Sequence, residues 1–325
     1  MKRRNSELYT ALHPALHMEN VYRSYVVKGE KHNVLSNLSF DIYPGEVVCL
    51  LGPNGAGKTT TVKIASTLLL PDLGTVEICG IDGIKHPRRA CDHLSLLLGG
   101  EDGFYLRASA KDNLFFFAQV SNAPLSQQKV LIDAALKRVN LFDVRNQLVQ
   151  TFSRGMRQRL HIARALVAQK NLILLDEPTI GLDPESAADV RQLIAELRHV
   201  PGGVLLTTHI MREVELLADR IVVIQEGRSI FQGTLEEMRS SVELEHVSTY
   251  LAPAISEEQI ENLTRQQGVS SVEVLDKFDS YYVDVAWAAS ASDTLCTETY
   301  SWKEINRRSP SLEEVYLGLL NKRRI

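Results

Sequence analysis

The sequence predicts an α/β protein: a doubly wound parallel sheet followed by a smaller α+β domain. Three observations predict it. Short apolar runs alternate with helix-period segments from about residue 34 to residue 225, as strands joined by crossover helices do. A glycine-rich turn at 52–57 lies between the apolar run 46–51 and the segment 58–70, whose apolar residues recur at helical spacing. Beyond about Leu235 the texture changes to acidic helix signals and short strand-like runs.

Taken in order, 34–40 and 46–51 read as strands and 58–70 as a helix that Pro71-Asp72-Leu73-Gly74 terminates, with a β-branched strand at 75–79. The stretch 85–169 carries mostly helical patterns, including 110–120 and 127–139, and reads as a helical insertion in the α/β core. A strand at 172–176, a helix at 184–200, a strand at 203–207, a helix at 211–218 and a strand at 221–225 complete the sheet pattern. In the tail, 256–267 reads as a helix, and 271–275 and 281–285 as strands. The expected division is an N-terminal extension at 1–17, a main domain at 18–235 with its helical part at about 85–169, and an accessory domain at 236–325.

Bulk properties narrow the function. With 44% hydrophobic and 23% charged residues the chain is ordinary for a globular protein, and a net charge of −4 gives no electrostatic footprint for nucleic acid. No apolar run approaches the ~20 residues a membrane-spanning helix needs. The basic start Met1-Lys2-Arg3-Arg4 is followed by polar residues rather than a signal-peptide core, so the expected location is cytoplasmic. Cys49, Cys79, Cys91 and Cys296 lack paired spacing, so neither a zinc site nor a disulfide framework is expected, and buried free thiols are.

The chemistry concentrates in a few motifs. Gly52-Pro53-Asn54-Gly55-Ala56-Gly57-Lys58-Thr59, followed by Thr60, matches the Walker A pattern in its required context, after an apolar strand and before a helix. Backbone amides of such a loop and the helix N-terminus cradle phosphates, Lys58 reaches the β and γ oxygens, and Thr59 offers a hydroxyl to Mg2+. Leu172-Ile173-Leu174-Leu175-Asp176-Glu177 is a buried strand ending in two carboxylates: Asp176 suits the magnesium shell, and Glu177 can orient the attacking water. Thr207-Thr208-His209 closes another apolar strand, whose end lies on the ligand edge of a doubly wound sheet, where His209 can meet the γ-phosphate.

Together with Phe152-Ser153-Arg154-Gly155-Met156-Arg157-Gln158 and Gly181-Leu182-Asp183, these motifs resemble an ABC transporter ATPase domain over about 18–233, in order and in spacing. The resemblance implies a P-loop NTPase fold with a RecA-like parallel core, an antiparallel β subdomain and a helical subdomain, binding ATP with Mg2+. It makes Ser153, Arg154, Gly155 and Met156 the signature segment, which closes over ATP held by an opposite subunit; here FSRGM stands for the commoner LSGGQ. Gly181, Leu182 and Asp183 resemble the D-loop through which two ATP sites sense one another, and Tyr25 the aromatic that stacks on adenine, with Tyr22 as its rival. The family's Q-loop glutamine is missing near Leu98-Gly99-Gly100-Glu101: Gly100 fills the slot, and either Glu101 takes over its role at magnesium or the glycines only bend the loop. Ser311-Leu312-Glu313-Glu314-Val315-Tyr316-Leu317 looks like the tail of drug-exporter ATPases with separate permeases and also suits a terminal amphipathic helix.

The implied reading is an ATP-hydrolysing subunit, with Glu177, His209 and Lys58 catalytic. It would work as a homodimer or with a homologous subunit, energising export through a multi-span permease from the inner face of the cell membrane. The rival is a soluble ABC ATPase acting on ribosomes or nucleic acid. A single Walker A loop and the lack of a long heptad run weigh against it.

Overall fold

From Leu16 the chain folds back on itself as a long hairpin, β1 (Leu16–Val27) with β2 (Glu30–Ile42), in a computed structural model that describes residues 13–97, 103–277, 280–288 and 300–321. Its tight turn puts both Lys28 (φ 53°) and Gly29 (φ 87°) in the left-handed region, the geometry that matches strand twist. β3 (Val47–Leu51), buried at every residue, leads through the glycine turn into α1 (Lys58–Ala65). Then come β4 (Leu73–Ile78), β5 (Ile81–Asp82), α2 (Pro87–Cys91) and β6 (Leu94–Leu97). The helical part holds α3 (Ala110–Val120), α4 (Leu125–Arg138), a 3-10 turn (Val149–Thr151) and α5 (Arg154–Ala168). β7 (Leu172–Asp176), α6 (Pro184–Leu197), β8 (Gly203–Thr208), α7 (Met211–Leu217), β9 (Arg220–Gln225) and β10 (Arg228–Gly233) follow.

Two sheets form from these strands. An antiparallel sheet runs β2-β1-β4-β5, and a six-stranded sheet runs β10-β9-β3-β8-β7-β6, parallel apart from the β10–β9 pair. The latter is the doubly wound sheet expected, and the antiparallel sheet and helices complete the expected fold class. One core joins the sheets: Leu16, Met18, Leu38 and Ile42 pack with Val48, Leu50, Leu172, Leu174, Leu205 and Val222, all buried.

Four expectations need correction. The stretch 85–169 is not a purely helical insertion: β6 lies inside it and forms the edge of the parallel sheet beside β7. The helix expected over 58–70 stops at Ala65, because the Ser66 hydroxyl donates back to the Lys63 carbonyl and Thr67 enters the left-handed region at φ 62°. The first strand begins at Leu16, inside the stretch read as an extension. Of the cysteines expected to be buried, Cys49 is, Cys79 is half-buried and Cys91 is exposed, while Cys296 lies outside the described residues.

The chain divides into two compact units, Met1–Thr234 and Leu235–Ile325. The second contains α8 (Leu235–Ser241), β11 (Leu244–Ala252), α9 (Glu257–Thr264), β12 (Val269–Lys277), β13 (Ser280–Ala288), β14 (Lys303–Arg308) and α10 (Leu312–Asn321). Its antiparallel sheet, ordered β12-β13-β11-β14, buries Trp287, Val283, Val285 and Tyr250 with Leu263 and Trp302. The SLEEVYL segment starts α10 with a reciprocal cap: the Ser311 hydroxyl accepts from the Glu314 amide at 3.3 Å, and the Glu314 carboxylate accepts from the Ser311 amide at 2.6 Å. Arg308 clasps the same carboxylate at 2.7 Å and Asp284 at 3.1 Å. Those carboxylates hold its guanidinium charged well above the ordinary arginine range.

Candidate active site

Strand register assembles the site. β8 lies between β3 and β7, pairing Leu51 with Thr208 and Asp176 with Thr207, so three strand ends reach one level at the carboxyl edge of the parallel sheet. Open α/β sheets bind their ligands at this edge.

At the end of β3 the chain turns through Gly52 into α1. A Cβ on Gly52 would collide with the Ile224 carbonyl, and one on Gly57 would fall 2.7 Å from the Leu35 side chain; Gly57 also has φ 109°. Only glycine permits this close, left-handed path. Pro53, Asn54 and Gly55 are exposed along the loop, Ala56 and Gly57 are buried beneath it, and Thr59 is exposed and Thr60 half-buried on the first turn of α1. Lys58, buried, curls back so that Nζ donates to the carbonyls of Gly52 (2.8 Å) and Pro53 (3.2 Å) and lies 3.3 Å from Glu177 Oε1.

Asp176, also buried, ends β7 and accepts a 2.6 Å hydrogen bond from the Thr207 hydroxyl. The same hydroxyl oxygen accepts from the Glu177 amide at 3.0 Å. One threonine thus fixes both acidic residues. Glu177 sits at φ 47°, a left-handed conformation a non-glycine residue adopts only at a cost of roughly 1–2 kcal/mol. Its carboxylate lies 3.3 Å from His209 Nδ1 as well as from Lys58 Nζ. The structure therefore brings Lys58, Asp176, Glu177 and His209 together.

Next to this edge, Thr208 donates to Glu213 Oε2 at 2.5 Å, and the Thr179 hydroxyl donates to Glu213 Oε1. The roles of Thr179, Thr207 and Glu213 are not evident in the sequence. Polar side chains at the ends of otherwise apolar strands are the signal that marks the threonines.

A second group forms at the start of α5. Ser153 caps the helix by accepting from the Met156 amide at 3.2 Å; Ser153 and Arg154 are exposed, Met156 is half-buried and Gly155 is buried. A Cβ on Gly155 would lie 2.5 Å from the Ser186 hydroxyl, so this turn rests on the start of α6. The segment 181–183 is equally tight: the Arg154 guanidinium fills the space where a Cβ on Gly181 would be. Leu182 is half-buried, and Asp183 caps α6 by accepting from the Ser186 amide at 2.9 Å, a bond that lowers its carboxyl below the ordinary range. Among the described residues, the side chains of this group partner one another and the start of α6 rather than Lys58, Glu177 or His209.

Tyr22 and Tyr25 are both partly exposed on β1. Arg23 holds its guanidinium 5.0 Å from the Tyr25 ring centroid and donates to Asp72 at 2.9 Å, and the Ser24 hydroxyl donates to the other Asp72 oxygen at 2.6 Å. The Leu98–Glu101 expectation lies outside the described residues. Among the described residues no cluster of three or more His, Cys, Asp or Glu side chains could hold a metal by itself. Thr59, exposed on the first turn of α1, and Asp176, buried at the end of β7, each carry an oxygen of the kind that magnesium takes beside water and phosphate.

Comparison with known proteins agrees with this geometry. The ABC transporter family matches residues 35–180. The chain is 38% identical over 219 residues to the ABC transporter ATP-binding protein NatA of Bacillus subtilis (strain 168), covering 67% of this chain and 89% of the relative. It is 28% identical over 311 residues to the linearmycin resistance ATP-binding protein LnrL of the same organism, covering 94% of this chain and 98% of the relative. A dimeric ATP-binding cassette solved in a post-hydrolysis state with ADP and Pi superposes with a TM-score of 0.60 at 25% identity, covering 68% of this chain and 98% of that one. With the phosphate loop, the paired carboxylates and the histidine on one sheet edge, the chain belongs to the ABC transporter family as an ATP-hydrolysing, ATP-binding subunit.

Proposed function

We propose that this subunit energises export of a small molecule through a separate multi-span membrane subunit, and that two such ATPase subunits, identical or homologous, sandwich two ATP molecules. The observation that carries the catalytic part is the convergence on Glu177 Oε1, 3.3 Å from both Lys58 Nζ and His209 Nδ1. In this reading the loop 52–60 holds the phosphates through its amides, and Tyr25 stacks on adenine. Glu177 orients the lytic water and takes its proton. His209 and Lys58 donate to the transferring phosphoryl oxygens. Thr59 and Asp176 would hold Mg2+, which supplies positive charge against the phosphate oxygens.

Ser153, Arg154, Gly155 and Met156 then close over the partner's nucleotide, and Gly181, Leu182 and Asp183 line the shared interface. The exposure of Ser153, Arg154, Gly181 and Asp183 supports a role in trans, as does the dimeric cassette to which the chain is similar. An exposed aromatic patch, Tyr105, Leu106, Phe115 and Phe116, supports a membrane-subunit contact on the helical part. No helix among the described residues is long and apolar enough to cross a membrane, so in this reading the chain works from the cytoplasmic face of the cell membrane through its partner. Similarity over nearly the whole chain to the linearmycin resistance ATP-binding protein LnrL supports export.

Glu177→Gln tests the catalytic part: nucleotide binding is retained and turnover falls by about 10²–10⁴-fold, the contribution of a positioned base. Wild-type turnover would remove Glu177 from this role. Purification of the tagged chain from detergent-solubilised membranes tests the partner, with a stoichiometric multi-span protein expected. Recovery on ribosomes or DNA would replace the export reading.

A further inference from the structure

We propose that Glu213 is a positioning residue for hydrolysis: its buried carboxylate ties together the two backbone segments that present Glu177 and His209. The inference rests on the roles proposed above for those two residues.

Glu213 lies in the first turn of α7 and is 1% exposed. Burying a carboxylate costs several kcal/mol unless its oxygens are satisfied, and no ion pair to Glu213 occurs among the described residues. Two hydroxyls satisfy it instead, Thr179 on Oε1 and Thr208 on Oε2. Their places in the chain carry the inference. Thr179 is two residues after Glu177, and Thr208 is the residue before His209. Because Thr208 spends its proton on Glu213, its oxygen is free to accept the Ile210 amide at 3.0 Å, so the backbone is fixed on both sides of His209.

Glu177 needs such a clamp more than most residues. Its left-handed backbone persists only where the surroundings over-determine it. Upstream, its amide is held by the Thr207 carbonyl (3.2 Å) and hydroxyl (3.0 Å). Downstream, the turn closes with Ile180 donating to the Glu177 carbonyl at 3.2 Å, and Thr179 is pinned to Glu213. Removing that pin frees the downstream side to relax toward ordinary φ, which swings the carboxylate away from Lys58 and His209. The phosphate loop, held by its own glycines and by Lys58, does not depend on this clamp.

An amide at 213 keeps the shape but not the pattern. Glutamine accepts one hydroxyl and must donate toward the other, so one threonine is forced to reverse its bond. The purified chain carrying Glu213→Gln is therefore expected to show kcat lowered about 10–100-fold, the size of effect a misplacement near 1 Å produces. Affinity for a fluorescent ATP analogue should stay within about threefold, and the thermal midpoint should remain close to wild type. Thr179→Val should give the same split, and the double variant should be no worse than the weaker single, as members of one network are non-additive.

An unchanged kcat in Glu213→Gln overturns the proposal, as does parallel loss of kcat, nucleotide affinity and thermal midpoint in both variants. If Glu213→Gln does not fold, Thr179→Val decides by the same criteria. Glu177→Gln, measured alongside, separates the two readings. Wild-type turnover there refutes the role of Glu177 itself, whereas an inactive Glu177→Gln beside a fully active Glu213→Gln refutes only the clamp.

Discussion

The sheet edge around Glu177 and the start of α5 around Ser153 are built on opposite plans. At the sheet edge Lys58, Asp176, Thr179, Thr207, Thr208 and Glu213 are buried, and each has a partner in this chain. On α5, Ser153 and Arg154 are exposed, and further along the same helix His161 is buried with neither ring nitrogen hydrogen-bonded among the described residues. The difference teaches which half is self-sufficient. Buried polar groups that satisfy one another hold their geometry without ligand, while a half that leaves its polar groups exposed or orphaned is built to be completed or to move.

The largest effect should follow from breaking the self-sufficient half at its centre. Lys58→Ala removes the donor that touches the Gly52 and Pro53 carbonyls and Glu177 together. The expected loss in kcat/KM for ATP hydrolysis is about 10²–10³-fold, as for removal of one donor aimed at developing charge. Near-wild-type kcat/KM would mean that the convergence on Glu177 does not serve the reaction.

Gly155→Ala tests the other half by adding one methyl group. Its Cβ would stand 2.5 Å from the Ser186 hydroxyl and 2.8 Å from Ser186 Cβ, displacing the signature turn from α6. Overpacking of this kind costs about 1–3 kcal/mol, and turnover should fall about tenfold. Nucleotide affinity of the isolated subunit should not change, because the loop at 52–60 is untouched. Ser186→Gly in the same chain should restore turnover, since it removes the hydroxyl and Cβ that the new methyl group would meet and keeps the backbone amide that Asp183 caps. Reduced affinity in Gly155→Ala would show that the halves are coupled within one subunit.

The same contrast explains what the sequence revealed. The sheet edge was legible because strand, glycine turn and helix follow one another locally, and because carboxylates or histidine at the end of a five- or six-residue apolar run are conspicuous. Glu213 was not legible. An acid in the first turn of a helix reads as ordinary dipole compensation, and only the pairing of β7 with β8 brings Thr179 and Thr208 to it. The packing of Arg154 on Gly181 is likewise a contact between segments 27 residues apart in sequence. β6 was hidden for another reason: four residues of alternating burial, Leu94–Leu97, are too short to stand out ahead of a long run of helical patterns.

Tyr25→Ala should produce a smaller change, confined to binding. Loss of a stacking face is worth about 0.5–1.5 kcal/mol, so KM for ATP should rise about three- to tenfold with kcat unchanged. Tyr22→Ala is the control and should leave KM at the wild-type value. The reverse pattern would assign the adenine platform to Tyr22, although Arg23 backs Tyr25.

Near neutral pH the smallest expected effect falls on stability alone and probes the orphaned group on α5. Burial holds the His161 imidazole neutral, with its pKa lowered from 6.5 to about 4, and neither nitrogen has a hydrogen bond among the described residues. Between these two values the unfolded chain binds a proton that the folded chain refuses. Stability is therefore intact above pH 6.5 and is lost as pH falls toward 4. His161→Leu keeps the apolar contact with Phe104, whose ring centroid lies 4.3 Å away, and removes the proton-binding group. Thermal midpoints of the two proteins should be close at pH 7.5, with the variant equal or slightly higher. They should diverge below pH 6, the variant gaining about 1–3 kcal/mol over the wild type by pH 4.5. Parallel pH curves would mean that His161 finds a partner when protonated, and that this helix is as internally satisfied as the sheet edge.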